Sequence, residues 1–251
     1  MSFFAVLKVL SALAVASVLA GCVPSQDQLS ASRLASGARE CQTVADSSAA
    51  CFFRNSPVRL EDRVVRLPGR ALEFRPMAEA LAFVDGEGRQ WLAPRATLTD
   101  GASIPAVFIP IVGAPRSREF INAAAVHDAF CGVGNETGAA YHSRTWQETH
   151  RVFYDSLVVG GTEPVRAKVM FAAVWLGGPR WEVNDRRETR SESPLPSSVL
   201  IAGMREARDY IQRSEPTMPE LIGYLNWLEW DMERRAFRGG PSRGSSVPVQ
   251  Q

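Results

Sequence analysis

Three stretches in which apolar residues recur every three or four positions constrain the fold of this chain more than any other feature. The first carries Phe120 and Cys131 on one face and predicts a helix over about residues 117–130. The same spacing predicts a second helix over about residues 144–159 and a third that begins near residue 163. Glycines follow each stretch, and glycine is typical of the position after a helix. We therefore expect three consecutive core helices.

A small sheet is expected before these helices. Residues 80–84 and 90–93 are mostly apolar and flank Asp85-Gly-Glu-Gly88, whose turn residues predict a β-hairpin. Two further helices are predicted near residues 197–213 and 219–238. The expected fold class is therefore α+β, with a small antiparallel sheet followed by a bundle of three core helices plus C-terminal helices.

The composition is that of a globular protein with little net charge. Of 251 residues, 45% are hydrophobic and 22% are charged, and 28 Lys and Arg residues stand against 27 Asp and Glu residues. This balance argues against a protein that binds nucleic acid through its electrostatic field. No nucleic-acid partner is expected.

The first residues predict export. An apolar run over residues 9–20 follows Lys8, which is typical of a secretory signal peptide and short for a membrane span. The run ends in Leu19-Ala-Gly-Cys22, which resembles the lipobox of bacterial lipoproteins. The resemblance implies removal of residues 1–21, acylation of Cys22 and anchoring to the outer membrane, facing the periplasm. The alternative is a plain signal peptide that is cut after small residues.

The rest of the chain divides by composition. Residues 22–56 are expected to form a flexible tether and residues 57–190 the α+β core. Residues 191–238 are expected to form a C-terminal helical extension, and residues 239–251 a disordered tail.

The expected export predicts how the cysteines pair. Cys41 and Cys51 lie close together in a polar stretch, and exported proteins form disulfides, so these two are predicted to pair. With Cys22 acylated, Cys131 would be left without a disulfide partner.

The groups that titrate near neutral pH are concentrated in residues 97–150. All three histidines lie there, and His127 and His150 fall on the apolar faces of the first two predicted helices. Consecutive helices usually pack side by side, so both imidazoles are expected to face one space open to solvent. Asp128 would border that space, and Asp100 would reach it from the preceding loop.

The same residues carry a resemblance to a known family. It rests on Asp100–Pro105, Ala123–Asp128, Arg144, His150–Tyr154 and the stretch from Met170 to Gly177. Together these resemble the phage and bacterial family called domain of unknown function 1353, over about residues 78–181. The resemblance implies a conserved site but no established activity. His150 stands where that family usually has aspartate, an exchange that suits a metal ligand better than an orienting residue.

Three mechanisms of ester or amide hydrolysis could use these residues. In the first, similar to that of secreted phospholipases A2, His127 activates water and Asp128 or Asp100 holds calcium. In the second, Asp100, His127 and His150 bind zinc, with Cys131 as a further candidate ligand, and the zinc activates the water. In the third, Cys131 is a nucleophile paired with His127, although the dipole at the end of its helix disfavours the thiolate. The expected substrate is an ester or amide of lipid or cell wall.

These mechanisms assign provisional roles to four residues. The candidate catalytic residues are His127, His150 and Asp128. The candidate ligands of a divalent metal, calcium or zinc, are Asp100, Asp128 and His150. His142 lies in the loop between the helices and is expected to be exposed.

A non-catalytic envelope protein is the alternative. Histidines on apolar helix faces are often core residues that donate to carbonyls, so this cluster could be a buried structural network. A protein partner in the envelope would then bind the aromatic C-terminal helix, which carries Tyr224, Trp227, Trp230 and Phe237. The helical spacing of these aromatics favours packing on the core instead.

Overall fold

The computed structural model describes Cys41 and residues 51–70, 72–101, 104–112, 120–185 and 193–238. The strands are β1 (Phe52–Arg54), β2 (Arg75–Pro76), β3 (Leu81–Val84), β4 (Gln90–Ala93) and β5 (Leu98–Thr99). After a 3-10 turn (Ala106–Phe108), the helices are α1 (Ile109–Val112), α2 (Ile121–Cys131), α3 (Trp146–Val159), α4 (Pro164–Gly177), α5 (Ser197–Ser214) and α6 (Met218–Arg238). The predicted α+β class is confirmed.

The antiparallel sheet has the strand order β1-β3-β4, and β2 pairs separately with β5. The predicted hairpin joins β3 to β4, with Leu81 opposite Ala93 and Val84 opposite Gln90. Asp85 holds its turn together, because the carboxylate accepts hydrogen bonds from the backbone N–H groups of Glu87 and Arg89 and from Trp91 Nε1. The buried face of this sheet packs on α2.

The folded region begins earlier than residue 57. Phe52–Arg54 pairs with β3, and the Phe53 ring lies 5.0 Å from that of Phe83. Cys41 and Cys51 are joined by a disulfide and are both buried. The predicted tether of residues 22–56 is therefore corrected at its C-terminal end, where apolar side chains complete the sheet. Residues 1–40, which include the predicted signal peptide and Cys22, lie outside the described residues.

The three predicted core helices are present as α2, α3 and α4. The side chain of Thr145 accepts from the backbone of Glu148 while the Glu148 carboxylate reaches back, a capping box that starts α3. Glu163 caps the first turn of α4, where Pro164 occupies a position that needs no N–H donor. These local signals explain why the helices begin close to their predicted starts.

The C-terminal helices are part of the main core, which corrects the prediction of an extension over residues 191–238. Leu200 and Met204 of α5 and Leu225 and Met232 of α6 belong to the same buried cluster as α4. Their apolar faces are wide enough to bury against α4. Residues 239–251, the predicted tail, lie outside the described residues.

Tyr224 of α6 packs against the core as expected, but the other three aromatic side chains predicted to do so are mostly exposed. Trp227 and Trp230 are each 51% exposed and Phe237 is 88% exposed. The helix is buried through Leu225 and Leu228 instead. No helix in the described part of the chain is both long enough and apolar enough to span a membrane.

Candidate functional site

Two histidines from neighbouring helices meet inside the protein. His127 of α2 and His150 of α3 are 2% and 0% exposed, and His127 Nε2 lies 2.9 Å from His150 Nδ1. The Phe153 ring lies 4.8 Å from that of His127, and the Trp146 ring lies 5.7 Å from that of His150. The helical spacing therefore led to the right pair of imidazoles, and aromatic rings shield both from water.

A backbone carbonyl determines which nitrogens carry protons. His150 Nε2 lies 3.2 Å from the carbonyl oxygen of Pro179, which can only accept a hydrogen bond. In a neutral ring, Nε2 of His150 is then the donor and Nδ1 is an acceptor. His127 Nε2 must donate to that acceptor, so the remaining lone pair of the two rings is on His127 Nδ1.

Burial keeps both imidazoles neutral. Burial lowers the pKa of His127 from 6.5 to about 3, because the charged ring would lose its hydration. Burial also lowers the pKa of His150 well below its usual value, and the neighbouring His127 and Arg180 add to this effect. At neutral pH, the pair is therefore a chain of hydrogen bonds without charge.

Gly178 allows the carbonyl of Pro179 to lie beside His150. A Cβ at position 178 would lie 2.3 Å from the oxygen of Val174 and 3.2 Å from His150 Nε2. Val174 is buried near the end of α4, and His150 is buried on α3. The glycine after this helix is thus required by the close approach of the backbone to the histidine.

A pocket of about 220 Å³ opens beside His127. Asp100, His127, Asp128 and Cys131 form its polar part. His150 does not line the pocket and lies behind His127. The expectation that both rings would border one solvent-open space is therefore met by His127 alone.

Asn135 links the two elements that carry the carboxylates. Its amide nitrogen donates to the carbonyl oxygens of Leu98 and Asp128, and its oxygen accepts from the Leu98 N–H. Strand β5, which precedes Asp100, is thereby attached to the end of α2. The sequence analysis did not identify Asn135; the only hint is its position in the glycine turn that follows α2.

Cys131 is poorly suited to act as a nucleophile. Its Sγ lies 3.7 Å from Nδ1 and 3.5 Å from Nε2 of His127. The thiol donates to the backbone oxygen of His127 at 3.5 Å. Burial raises the pKa of Cys131, and the charge of Asp128 raises it further.

The described residues contain no cluster of three or more His, Cys, Asp or Glu side chains placed to hold a metal ion. Both nitrogens of His150 are engaged, one by His127 and one by Pro179. His150 would therefore bind a metal only after one of these hydrogen bonds breaks. Asp100 and Asp128 both line the pocket and are the better placed of the predicted ligands.

His142 is fully buried, which corrects the expectation of an exposed loop residue. Its ring stacks between Tyr141, at a centroid distance of 3.8 Å, and Trp181, at 4.5 Å. Its Nδ1 is hydrogen-bonded to the backbone oxygen of Asp185. Trp181 also contacts the edge of His150, so His142 supports the wall behind the histidine pair.

Comparison with known proteins shows that part of this chain is similar to a family whose activity is not established. Residues 76–174 match the profile of the family described as "Protein of unknown function (DUF1353)". The matched stretch contains Asp100, His127, Asp128 and His150, and it ends before Pro179.

Two proteins of Sinorhizobium fredii are similar to this chain. "Uncharacterized protein y4iH" is 42% identical over 118 residues, which are 47% of this chain and 46% of that protein. "Uncharacterized protein y4jT" is 37% identical over 115 residues, which are 45% of this chain and 32% of that protein. The chain thus spans less than half the length of either relative. No solved structure matches the chain.

Proposed function

We propose that this protein is a cell-envelope hydrolase that cleaves an ester or amide of lipid or cell wall, with His127 as the general base. The observation that carries the proposal is the chain His127–His150–Pro179 beside the pocket. It leaves one lone pair, on His127 Nδ1, next to a cavity that could hold a substrate. The envelope address rests on the N-terminal sequence and the resemblance of Leu19–Cys22 to a lipobox.

In the proposed reaction, His127 Nδ1 takes a proton from water as the water oxygen attacks the carbonyl carbon of the substrate. The proton on Nε2 stays in its hydrogen bond to His150. The imidazolium formed on His127 then gives its new proton to the leaving oxygen or nitrogen. His150 is a positioning residue, because it holds the tautomer of His127 without reaching the pocket.

The low pKa of His127 has two opposing effects. The ring is neutral, and its lone pair is available, at any pH above about 3. However, a weaker base gains less from accepting a proton, and this slows the attack by water. The carboxylates of Asp100 and Asp128 line the same pocket and would hold a calcium or zinc ion that polarises the carbonyl of the substrate.

Turnover by the full-length protein in detergent tests this proposal. Acyl esters and cell-wall amides are offered to the wild type, to His127→Gln and to Thr149→Val. Thr149 is a matched control because it is buried on α3 beside His150 and does not line the pocket. We expect His127→Gln to lose at least about 100-fold in kcat and the control to keep its activity. Equal activity of His127→Gln and the wild type would refute the proposal.

Metal content separates the mechanisms. Stoichiometric zinc in the purified protein, measured by mass spectrometry, would support the zinc mechanism. Thermal stabilisation by calcium that Asp100→Asn and Asp128→Asn abolish would support the mechanism with calcium at the carboxylates.

A non-catalytic binding protein is the second candidate, and the exposed aromatic face of α6 favours it. Trp227, Trp230 and Phe237 project into solvent, and such surface clusters often mark binding sites. The histidine pair would then be a structural network, since His150 has no exposed surface. Capture of a specific envelope protein that Trp227→Ala and Trp230→Ala abolish, with no hydrolytic activity, would support this candidate.

A further inference from the structure

The pocket beside His127 has an apolar part that the proposed reaction does not use. Leu72 and Phe74 come from the segment that leads into β2, and Ile104, Pro105 and Ile109 come from the segment that leads into α1. The polar groups come from α2 and from Asp100, so the pocket has one polar end and an apolar remainder. A ligand that matches it carries a polar group on an apolar chain.

The size of the pocket limits that ligand. A volume of about 220 Å³ is below the usual range of drug-sized pockets, about 300–1,000 Å³. The pocket therefore suits a single acyl chain better than a bulkier apolar group.

The charges of the polar end select against anions. His127 is neutral and Cys131 is a neutral thiol, since burial disfavours the charged form of each. The two carboxylates at that end, Asp100 and Asp128, repel a phosphate or a second carboxylate. Among the described residues that line the pocket, the only cationic side chain is that of the half-buried Arg70. A neutral carbonyl group, as in an ester or amide, fits this end better than a charged group.

Apolar residues continue from the pocket into α1. Ile109 lines the pocket and begins α1, whose sequence is Ile-Pro-Ile-Val and none of whose residues is fully buried. Ile111 and Val112 pack only partly against the main core. Helix α1 therefore adds partly exposed apolar surface next to the pocket.

From these features we infer that the pocket binds the acyl chain of a neutral lipid ester or amide, with the carbonyl group at His127. This inference rests on the proposed hydrolysis and names its substrate class. The water oxygen bonds to the acyl carbon, the bond from that carbon to the leaving oxygen or nitrogen breaks, and the leaving atom takes the proton from His127. The product acid ionises, and the carboxylates of the pocket then favour its release.

Binding of straight-chain methyl ketones to the wild-type, full-length protein tests the inference. A methyl ketone has a neutral carbonyl and an apolar chain and cannot be hydrolysed, so binding is measured apart from turnover. Calorimetry should show that affinity rises about four-fold with each added methylene, and levels off once the chain fills the pocket. Alkyl phosphates of the same length should bind at least about ten-fold more weakly.

A pair of tryptophan substitutions locates the binding site. Leu72→Trp adds bulk to a residue that lines the pocket and should weaken ketone binding at least about ten-fold. Leu92→Trp is the matched control, because Leu92 is 41% exposed on β4 and does not line the pocket. If both variants bind like the wild type, the chain binds elsewhere and the inference is overturned.

The outcomes separate this inference from the proposed function. Ketone binding with the expected chain-length dependence, but no hydrolysis of acyl esters, would support the ligand class and refute the proposed hydrolase activity. Hydrolysis that depends on His127 but not on chain length, without ketone binding, would keep the hydrolase and overturn the ligand class. Equal binding of alkyl phosphates would also overturn it, since the polar end would then accept an anion.

Discussion

Replacing His127 should change how the stability of the protein depends on pH. Above pH 6.5 the ring is neutral in both the folded and the unfolded chain, so its titration has no effect on the free energy of unfolding. Below that pH the unfolded chain takes up a proton, whereas the buried ring stays neutral until the pH nears its folded pKa of about 3. Stability is therefore lost as the pH falls from about 6.5 towards 3.

The magnitude follows from the two pKa values of 6.5 and about 3. Each pH unit between them removes about 1.4 kcal/mol, so one histidine accounts for about 2.7 kcal/mol between about pH 7.5 and about pH 4.5. His127→Gln lacks this titration but can still donate to His150. Its free energy of unfolding should fall by about 2.7 kcal/mol less than that of the wild type over the same interval.

Urea unfolding of the wild type, His127→Gln and Thr149→Val at both pH values measures the difference. Thr149→Val is a buried change on α3 without a titrating group, so its pH dependence should equal that of the wild type. The effects of His142 and of the carboxylates are common to all three proteins and cancel. His150 changes this comparison little, because burial is the main cause of its lowered pKa and His127 is a smaller one. If the wild type and His127→Gln lose the same free energy, His127 is hydrated in the folded protein and the buried-pair argument fails.

Four further outcomes are expected. Thr149→Val should raise the free energy of unfolding by about 1 kcal/mol in urea at neutral pH, because its buried hydroxyl has no hydrogen-bond partner among the described residues. In the same assay, Gly223→Ala should stabilise α6 by about 1 kcal/mol, since its Cβ would meet nothing within 4 Å. Gly203→Ala should show no such gain, because its Cβ would lie 2.2 Å from Sδ of the buried Met232. Cys131 should react with iodoacetamide only after unfolding, as followed by mass spectrometry, because the thiol is buried and burial raises its pKa; stoichiometric labelling of the folded protein would contradict this.

The helices of the core could be predicted because their signals are local. Apolar periodicity and the Thr145 capping box both lie within the segments that become helical. The face on which α6 packs could not be predicted in the same way. Leu225 and Leu228 are buried while Trp227 and Trp230 are exposed, and both pairs have helical spacing. Only the position of the neighbouring helices decides between them.

The strand pairing of β1 also depends on distant parts of the chain. Three residues beside a polar stretch have too little pattern to predict a strand, and Phe52–Arg54 becomes one because β3 offers an edge to pair with. The same reason explains the missed burial of His142, whose partner Trp181 lies in the segment after α4.

The histidine pair was predictable from spacing, but its orientation was not. Helical periodicity placed His127 and His150 on facing sides of two helices. It could not show that the pocket reaches His127 alone, nor that Asn135 attaches β5 to α2. These contacts join residues far apart in sequence, so the spacing of residues within one helix or strand does not predict them.

The hydrogen-bond acceptor that orients His150 is the backbone carbonyl oxygen of Pro179, and every amino acid has such an oxygen. Exchanging the side chain there cannot delete the oxygen, so the proton arrangement of the pair tolerates divergence at that position. The proton arrangement depends instead on the number of residues at the end of α4. Inserting or deleting one residue there would turn a different peptide group towards the ring of His150. Among relatives, the number of residues between His150 and Gly178 should therefore vary less than the identities of those residues.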